Sequence, residues 1–268
     1  MIGQDGTLAT VRALIEKDKY PRFSIFIGLK GSGRKTLAKE VAKMLDIPVV
    51  TLQDVKVDTI RNMITDAYKI PYKMLYIIPD AEKMSTAAKN ALLKVTEEPP
   101  NNAYFVMTAE DENSLLDTIK SRGMIFHMTS YSPSEIAEYA NCTDTRELEI
   151  ITSVCEVPGD VDILRTMDID AFYNYVEAVV ENIAETSGSN SFKIGSKINF
   201  KDDPEKYDLG LFWRTFMMVC LSRMKENPLK FASGVKITSK HLQEMRISGI
   251  NKSALFDVWI LDIREAWM

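Results

Sequence analysis

Cysteine is scarce in this 268-residue chain: Cys142, Cys155 and Cys220 are scattered, with no C-x-x-C pair. That pattern gives neither a disulfide framework nor a zinc module. Histidine is scarcer still. His127 and His241 stand far apart without ligand-like neighbours, so no metal site is expected from side chains. No apolar run approaches the roughly 20 residues that cross a bilayer. The opening MIGQDGTLAT has neither the basic start nor the apolar stretch of a signal peptide, so the expected compartment is the cytoplasm, with no membrane partner. Basic residues are not in excess either. A net charge of −5 argues against a globally basic nucleic-acid binder and leaves room for local basic patches.

What is present is a change of character along the chain. FSIFIG (23–28), IPVVTL (47–52), KMLYII (73–78), AYFVMT (103–108) and GMIFHM (123–128) read as buried strands. Between them, GRKTLAKEVAKML places Leu37, Val41 and Leu45 at helical spacing, and STAAKNALLKVTEE does the same with Ala88, Leu92 and Val95 before Pro99 and Pro100 stop the helix. Strand–helix alternation of this kind predicts a parallel sheet covered on both faces. After residue 130 strand-like runs largely vanish. Ser132, Pro133 and Glu135 give a capping-box start for a new helix. Helical patterns continue through TRELEIITSVCEV, GDVDILRTM and DAFYNYVEAVVENIAE, with VPGD (157–160) as a turn. TSGSNSFKIGSK (186–197) reads as flexible, KFASGVKITSK as a solvated face, and the Met- and aromatic-rich FWRTFMMVCLSRM as packed core or interface. SALFDVWILDIREAW reads as a last helix.

One short stretch carries the chemistry. GLKGSGRKT (28–36) nearly spells a phosphate-binding loop, G-x-x-x-x-G-K-[ST], between a strand and a helix. Gly28 and Gly33 hold the spacing and Gly31 lies between them, but Arg34 occupies the lysine position, and Lys35 and Thr36 arrive one residue late. One helical step turns a side chain by roughly 100°, so sliding the register does not repair the pattern. Lys35 cannot ligate Mg²⁺, and Arg34 is a planar fork where a compact ammonium is normal. On the neighbouring strand, YIIPDAEKM puts Pro79 at the first place for a magnesium-holding acid, followed by Asp80 and Glu82. Residues 28, 31 and 33–36 with Asp80 are therefore the candidate nucleotide site. The expectation is a loop with no tight grip on Mg·ATP, no required cofactor and no hydrolysis of its own.

Residues 80–123, DAEKMSTAAKNALLKVTEEPPNNAYFVMTAEDENSLLDTIKSRG, resemble the AAA+ clamp-loader subunits of bacterial DNA polymerase III, the delta-prime and gamma/tau group. The resemblance rests on NALLK (90–94), EEPP (97–100), Leu115–Leu116, Thr118–Ile119 and Ser121–Arg122; it extends more loosely along nearly the whole chain and is densest over 73–128. It implies an α/β P-loop (AAA+) core over 1–130, a small helical lid over 131–172 and an all-α collar over 173–268. It also implies gamma/tau-like and delta-like subunits as partners, and a sliding clamp and primer-template DNA reached through the assembly. Arg122 is then an arginine finger that reaches a neighbour's ATP site, whereas the bare residues read equally well as an arginine in a last helical turn before a glycine cap. Thr108 is the implied polar sensor.

Departures from the pattern matter. The family's four-cysteine zinc module is missing after the loop helix, so no zinc is expected, and Gly123 stands for the cysteine of the S-R-C motif. Gly159 and Asp160 fall where hydrolysing members carry a lid arginine, with Arg165 nearby. A damaged loop beside an intact finger motif implies a delta-prime-like, non-hydrolysing stator of a DNA-directed DNA polymerase holoenzyme. Two alternatives stay open: an ATP-hydrolysing gamma-type subunit, and an AAA+-scaffold interaction protein of another DNA-processing pathway, chromosomal or phage-borne.

Overall fold

The structure is a computed structural model that describes residues 2–184, 193–201, 203, 205–247 and 249–268. Most of the segment read as flexible, 186–192, lies outside the described residues. The chain forms two compact units, Met1–Ser132 and Pro133–Met268.

The first unit is built on five parallel strands: β1 (Phe23–Ile27), β2 (Val49–Thr51), β3 (Met74–Ile78), β4 (Ala103–Ala109) and β5 (Met124–His127), in the order β2-β3-β4-β1-β5. All five fall on the apolar runs read from the sequence. Their environments differ, however. β1, β3 and β4 are buried along their whole length, whereas β2 and β5 are the sheet's edges and leave Val49, Val50 and Met124 exposed. The reading of all five as buried is corrected there: an edge strand has a neighbour on one side alone.

Alternation along the strands sorts side chains to two faces. Phe23, Ile25, Ile27, Tyr76, Ile78, Phe105 and Met107 share a core with Ile60 and Met63 of α3 (Val57–Lys69), Leu92 and Val95 of α4 (Thr86–Glu97) and Ile119 of α5 (Asp117–Lys120). Phe26, Leu75, Ile77, Tyr104, Val106 and Phe126 pack with Val11 of α1 (Asp5–Glu16) and Leu37 and Val41 of α2 (Arg34–Met44). α4 starts where Ser85 accepts the Ala88 N–H, and it ends before the two prolines.

The second unit is helical: α6 (Pro133–Ala140), α7 (Thr145–Val154), α8 (Pro158–Leu164), α9 (Ile169–Asn182), α10 (Leu209–Ser222), α11 (Pro228–Glu244) and α12 (Lys252–Trp267), with two-residue bridges at Ile198–Asn199 and Tyr207–Asp208. Asp144, Asp168, Asp208, Asn227 and Asn251 each cap the helix that follows. VPGD is not a free turn: Pro158 and Gly159 lie in the first turn of α8, where the missing proline N–H costs nothing. Nor is 230–240 a solvated face throughout, since Phe231, Gly234 and Thr238 are buried in α11. Phe212, Trp213, Phe216, Phe256 and Trp259 form the aromatic centre, with Trp259 donating to Thr238 Oγ1 at 2.9 Å. Arg214 of α10 donates to the Val154 carbonyl and to Asp160 at 2.9 Å, and lies 3.6 Å from Glu156. Burial pushes the Asp160 carboxyl up from its ordinary value, against the pull of Arg214 and of the Glu156 and Val157 N–H groups.

Gly123 does not adopt the left-handed conformation of a glycine cap. It provides room instead: a Cβ there would meet Ile25 Cδ1 at 2.8 Å and Phe23 Cε1 at 2.9 Å. Gly123→Ala is therefore expected to cost about 1–3 kcal/mol through overpacking. A urea titration checks this, and an unchanged midpoint would contradict the packing argument.

Candidate functional site

The loop after β1 keeps the backbone form of a phosphate cradle. Gly31 and Gly33 have φ of 85° and 89°, values that side chains resist. Gly28 is required for another reason. A Cβ there would lie 2.7 Å from Met128 and 2.9 Å from Ser32 Oγ, so this glycine answers to internal packing. The Ser32 N–H is already used by the Leu29 carbonyl at 3.0 Å. The Ser32 carbonyl accepts from Tyr131 Oη at 2.8 Å, while its Oγ is buried and has no hydrogen-bond partner among the described residues. Buried Gln4 pairs with both the N–H and the carbonyl of Thr129, fixing the segment that brings Tyr131 to the loop. Neither Gln4 nor Tyr131 carried a signal in the sequence, because each hydrogen-bonds to residues far along the chain.

The side chains predicted for the loop do meet, though as a cluster of ion pairs. Arg34 is 5% exposed, and its Nη2 lies 3.9 Å from both Asp80 Oδ1 and Glu110 Oε1. Lys35 Nζ stands 3.4 Å from Asp80 Oδ2, and Lys83 Nζ 3.5 Å from the same atom. Thr108, fully buried, accepts the Asp80 N–H at 3.1 Å. Asp80 is itself left-handed, with φ 50°, a conformation a non-glycine residue adopts at some cost. Thr36 points to solvent on α2. Glu110 was not foreseen; it lies just beyond the strand that carries Thr108. Beside Asp80 opens a cleft of about 540 Å³, lined by Gln53, Asp54, Lys56, Pro79 and Lys83 among others, and residues 28–36 form no part of its lining.

The residues present do not fit a magnesium nucleotide. The cation at the lysine position is buried against carboxylates, and the nearest acid to a magnesium place already serves three cations. Lys35, at the position of the usual magnesium-binding hydroxyl, offers no oxygen.

Arg122 is placed elsewhere. β5 begins beside β1's first residues, Ser24 opposite Met124, so Arg122 sits at the strand-start end of the sheet, whereas the loop follows the other end of β1. Five residues of strand separate the two, about 17 Å at 3.3 Å per residue. Its Nε donates to Glu97 Oε1 at 3.0 Å, its Nη2 donates to the same oxygen, and its Nη1 donates to the Thr118 carbonyl. In the second unit, Asp160 is held by Arg214, and Arg165 donates to the Ala140 carbonyl at the end of α6.

A five-stranded parallel sheet with strand order 2-3-4-1-5, bearing a glycine loop at the carboxyl end of β1 and a helix beyond, defines a P-loop-type α/β domain. Solved structures agree in fold: a DNA polymerase III gamma subunit-related protein from Thermotoga maritima (TM-score 0.56, 16% identity, 97% of this chain and 99% of that one) and a point variant of RuvB from the same organism (TM-score 0.51, 16% identity, 84% and 76%). Residues 45–132 match the family model described as "DNA polymerase III, delta subunit". Curated relatives include DNA polymerase III subunit gamma/tau of Mycoplasma genitalium, 25% identical over 52% of this chain and 28% of that protein, and subunit gamma of Buchnera aphidicola subsp. Acyrthosiphon pisum, 30% identical over 38% and 30%. Subunit tau of Salmonella typhimurium is 21% identical over 83% of this chain and 42% of itself, so the chain spans less than half the length of these relatives. Over these stretches the chain is similar to DNA polymerase III clamp-loader subunits of the AAA+ group.

The Asp80 cluster makes a test of its own. Burial pushes the Asp80 carboxyl up, but Lys35, Lys83 and Arg34 outweigh it and hold the group below its ordinary value. A depressed folded value means stabilisation that is complete above the unfolded aspartate's pKa of about 4 and is lost as pH falls through the folded value. Asp80→Asn is expected to cost about 1–3 kcal/mol at neutral pH, because Arg34 keeps Glu110 alone as counter-charge. Between pH 5 and 2 its stability should fall less than that of the unaltered chain; parallel urea-midpoint profiles would remove Asp80 from the acid response.

Proposed function

We propose that the chain works as a delta-prime-like subunit of a DNA polymerase III clamp-loader assembly in DNA replication, in the cytoplasm, binding gamma/tau-like and delta-like subunits. Its own loop does not hydrolyse ATP. Arg122 serves the ATP site of a neighbouring subunit, where a guanidinium, always charged and rigidly forked, stabilises negative charge on the transferred phosphoryl group. In this reading residues 131–172 are the lid and 173–268 the collar that joins subunits, and the clamp and primer-template DNA are met through the assembly.

The observation that carries the reading is the occupancy of Asp80 by Arg34, Lys35 and Lys83. It replaces magnesium chemistry with a closed set of ion pairs. Position supports the role of Arg122: it sits at the far end of β1 from the chain's own loop and so does not face that loop. A second reading, a gamma-type ATPase using Arg34 or Lys35, is favoured by one fact: the curated relatives just described are gamma, tau and gamma/tau subunits.

The two readings part in solution. Labelled ATP with magnesium should bind the purified chain weakly, and phosphate release should stay at background; turnover at the rate of the intact complex would establish the gamma-type reading. In the assembled complex, Arg122→Ala should slow hydrolysis about 10²-fold or more at the site it faces, and Arg122→Lys should restore little. Unchanged turnover would take Arg122 out of the mechanism.

A further inference from the structure

We infer that Glu97 is a positioning residue for Arg122: it holds one edge of the guanidinium so that the other edge is presented to an anion on a neighbouring chain. The inference rests on the reading of Arg122 as a residue that acts in trans. Nε and Nη2 of Arg122 both donate to Glu97 Oε1, and Nη1 donates to the Thr118 carbonyl. A guanidinium has five N–H groups. Three are engaged by these bonds; a fourth, on Nη1, is directed at Ser121 Oγ, and the fifth, on Nη2, has no partner among the described residues. The Ser121 contact is 3.5 Å long, where little bonding is left. A phosphate approaching that outer edge meets a fork whose plane and direction are already set.

The backbones on both sides of the pair are anchored to the core. Glu97 ends α4, whose Leu92 and Val95 are buried, and the two prolines follow directly after Glu98. Arg122 and Gly123 both donate to the Ile119 carbonyl, at 3.1 and 3.3 Å, and Ile119 is fully buried. The ordering of a long, flexible side chain is thus complete before a neighbour arrives, and such preorganisation favours a transition-state contact.

Stability alone accounts poorly for a glutamate here. Glu97 and Glu98 put two carboxylates at the negative end of the α4 dipole. The Glu97 side chain is 52% exposed, so its pair with Arg122 adds little to folding. A placement that local rules disfavour is expected where a residue serves a site.

The test uses the assembled complex isolated with its natural partners, carrying Glu97→Gln, Glu97→Ala, Glu97→Asp, Arg122→Ala or Glu97→Gln with Arg122→Ala. Gel filtration checks assembly, and Glu97→Gln keeps the shape of the side chain should Glu97→Ala fail to assemble. Glu97→Gln is expected to lower kcat for ATP about tenfold with KM unchanged, Glu97→Asp should recover part of the loss, and Glu97→Gln should add nothing once Arg122 is alanine. Full kcat in Glu97→Gln beside an impaired Arg122→Ala overturns the role of Glu97 alone. So does a loss that adds to that of Arg122→Ala, or one that falls on KM. Unimpaired Arg122→Ala overturns the trans reading and this inference with it.

Discussion

The enclosure of β1 is the constraint from which the rest of the first unit follows. β4 and β5 take its two edges, helices cover both its faces, and all five of its residues are buried. Its one polar side chain, Ser24, is matched by Tyr20 at 2.9 Å. A strand so enclosed can offer chemistry only beyond its ends. One end opens into the glycine loop, and the other lies against the turn that carries Arg122. The sheet therefore keeps the glycine loop and Arg122 apart by the length of a strand.

At the loop end the balance is electrostatic. A guanidinium as deeply buried as Arg34 is costly without counter-charge, and Asp80 and Glu110 supply it. Asp80 in turn accepts a strained backbone and is steadied by the Thr108 hydroxyl on its N–H. The cluster is closed: each charge in it has an opposite within 3.9 Å. The charges beside the loop are thus balanced from within, although Ser32 Oγ and Arg34 Nη1 are buried without a hydrogen-bond partner among the described residues, and the loop's glycines answer to backbone geometry and to Met128.

Much of this was legible in the sequence. Runs such as FSIFIG and AYFVMT mark strands because β-branched and aromatic residues crowd at a length too short for a helix. The loop was legible because its glycines and the lysine position sit at fixed offsets. The order of the strands was not, since periodicity speaks of one strand at a time; hence β2 and β5 read as interior. The destination of Arg34 was equally hidden, because Asp80 and Glu110 reach it through the sheet. Gly123 misled for a related reason: a glycine after an arginine looks like a helix cap, and only packing on Phe23 and Ile25 shows that it is there for space.

In the second unit a single guanidinium joins three helices. Arg214 of α10 holds the last carbonyl of α7 and the first-turn carboxylate of α8. The short link at 155–157 would otherwise act as a loose joint between those two helices. Braced in this way, the link is flanked on both sides by groups tied to one side chain of α10.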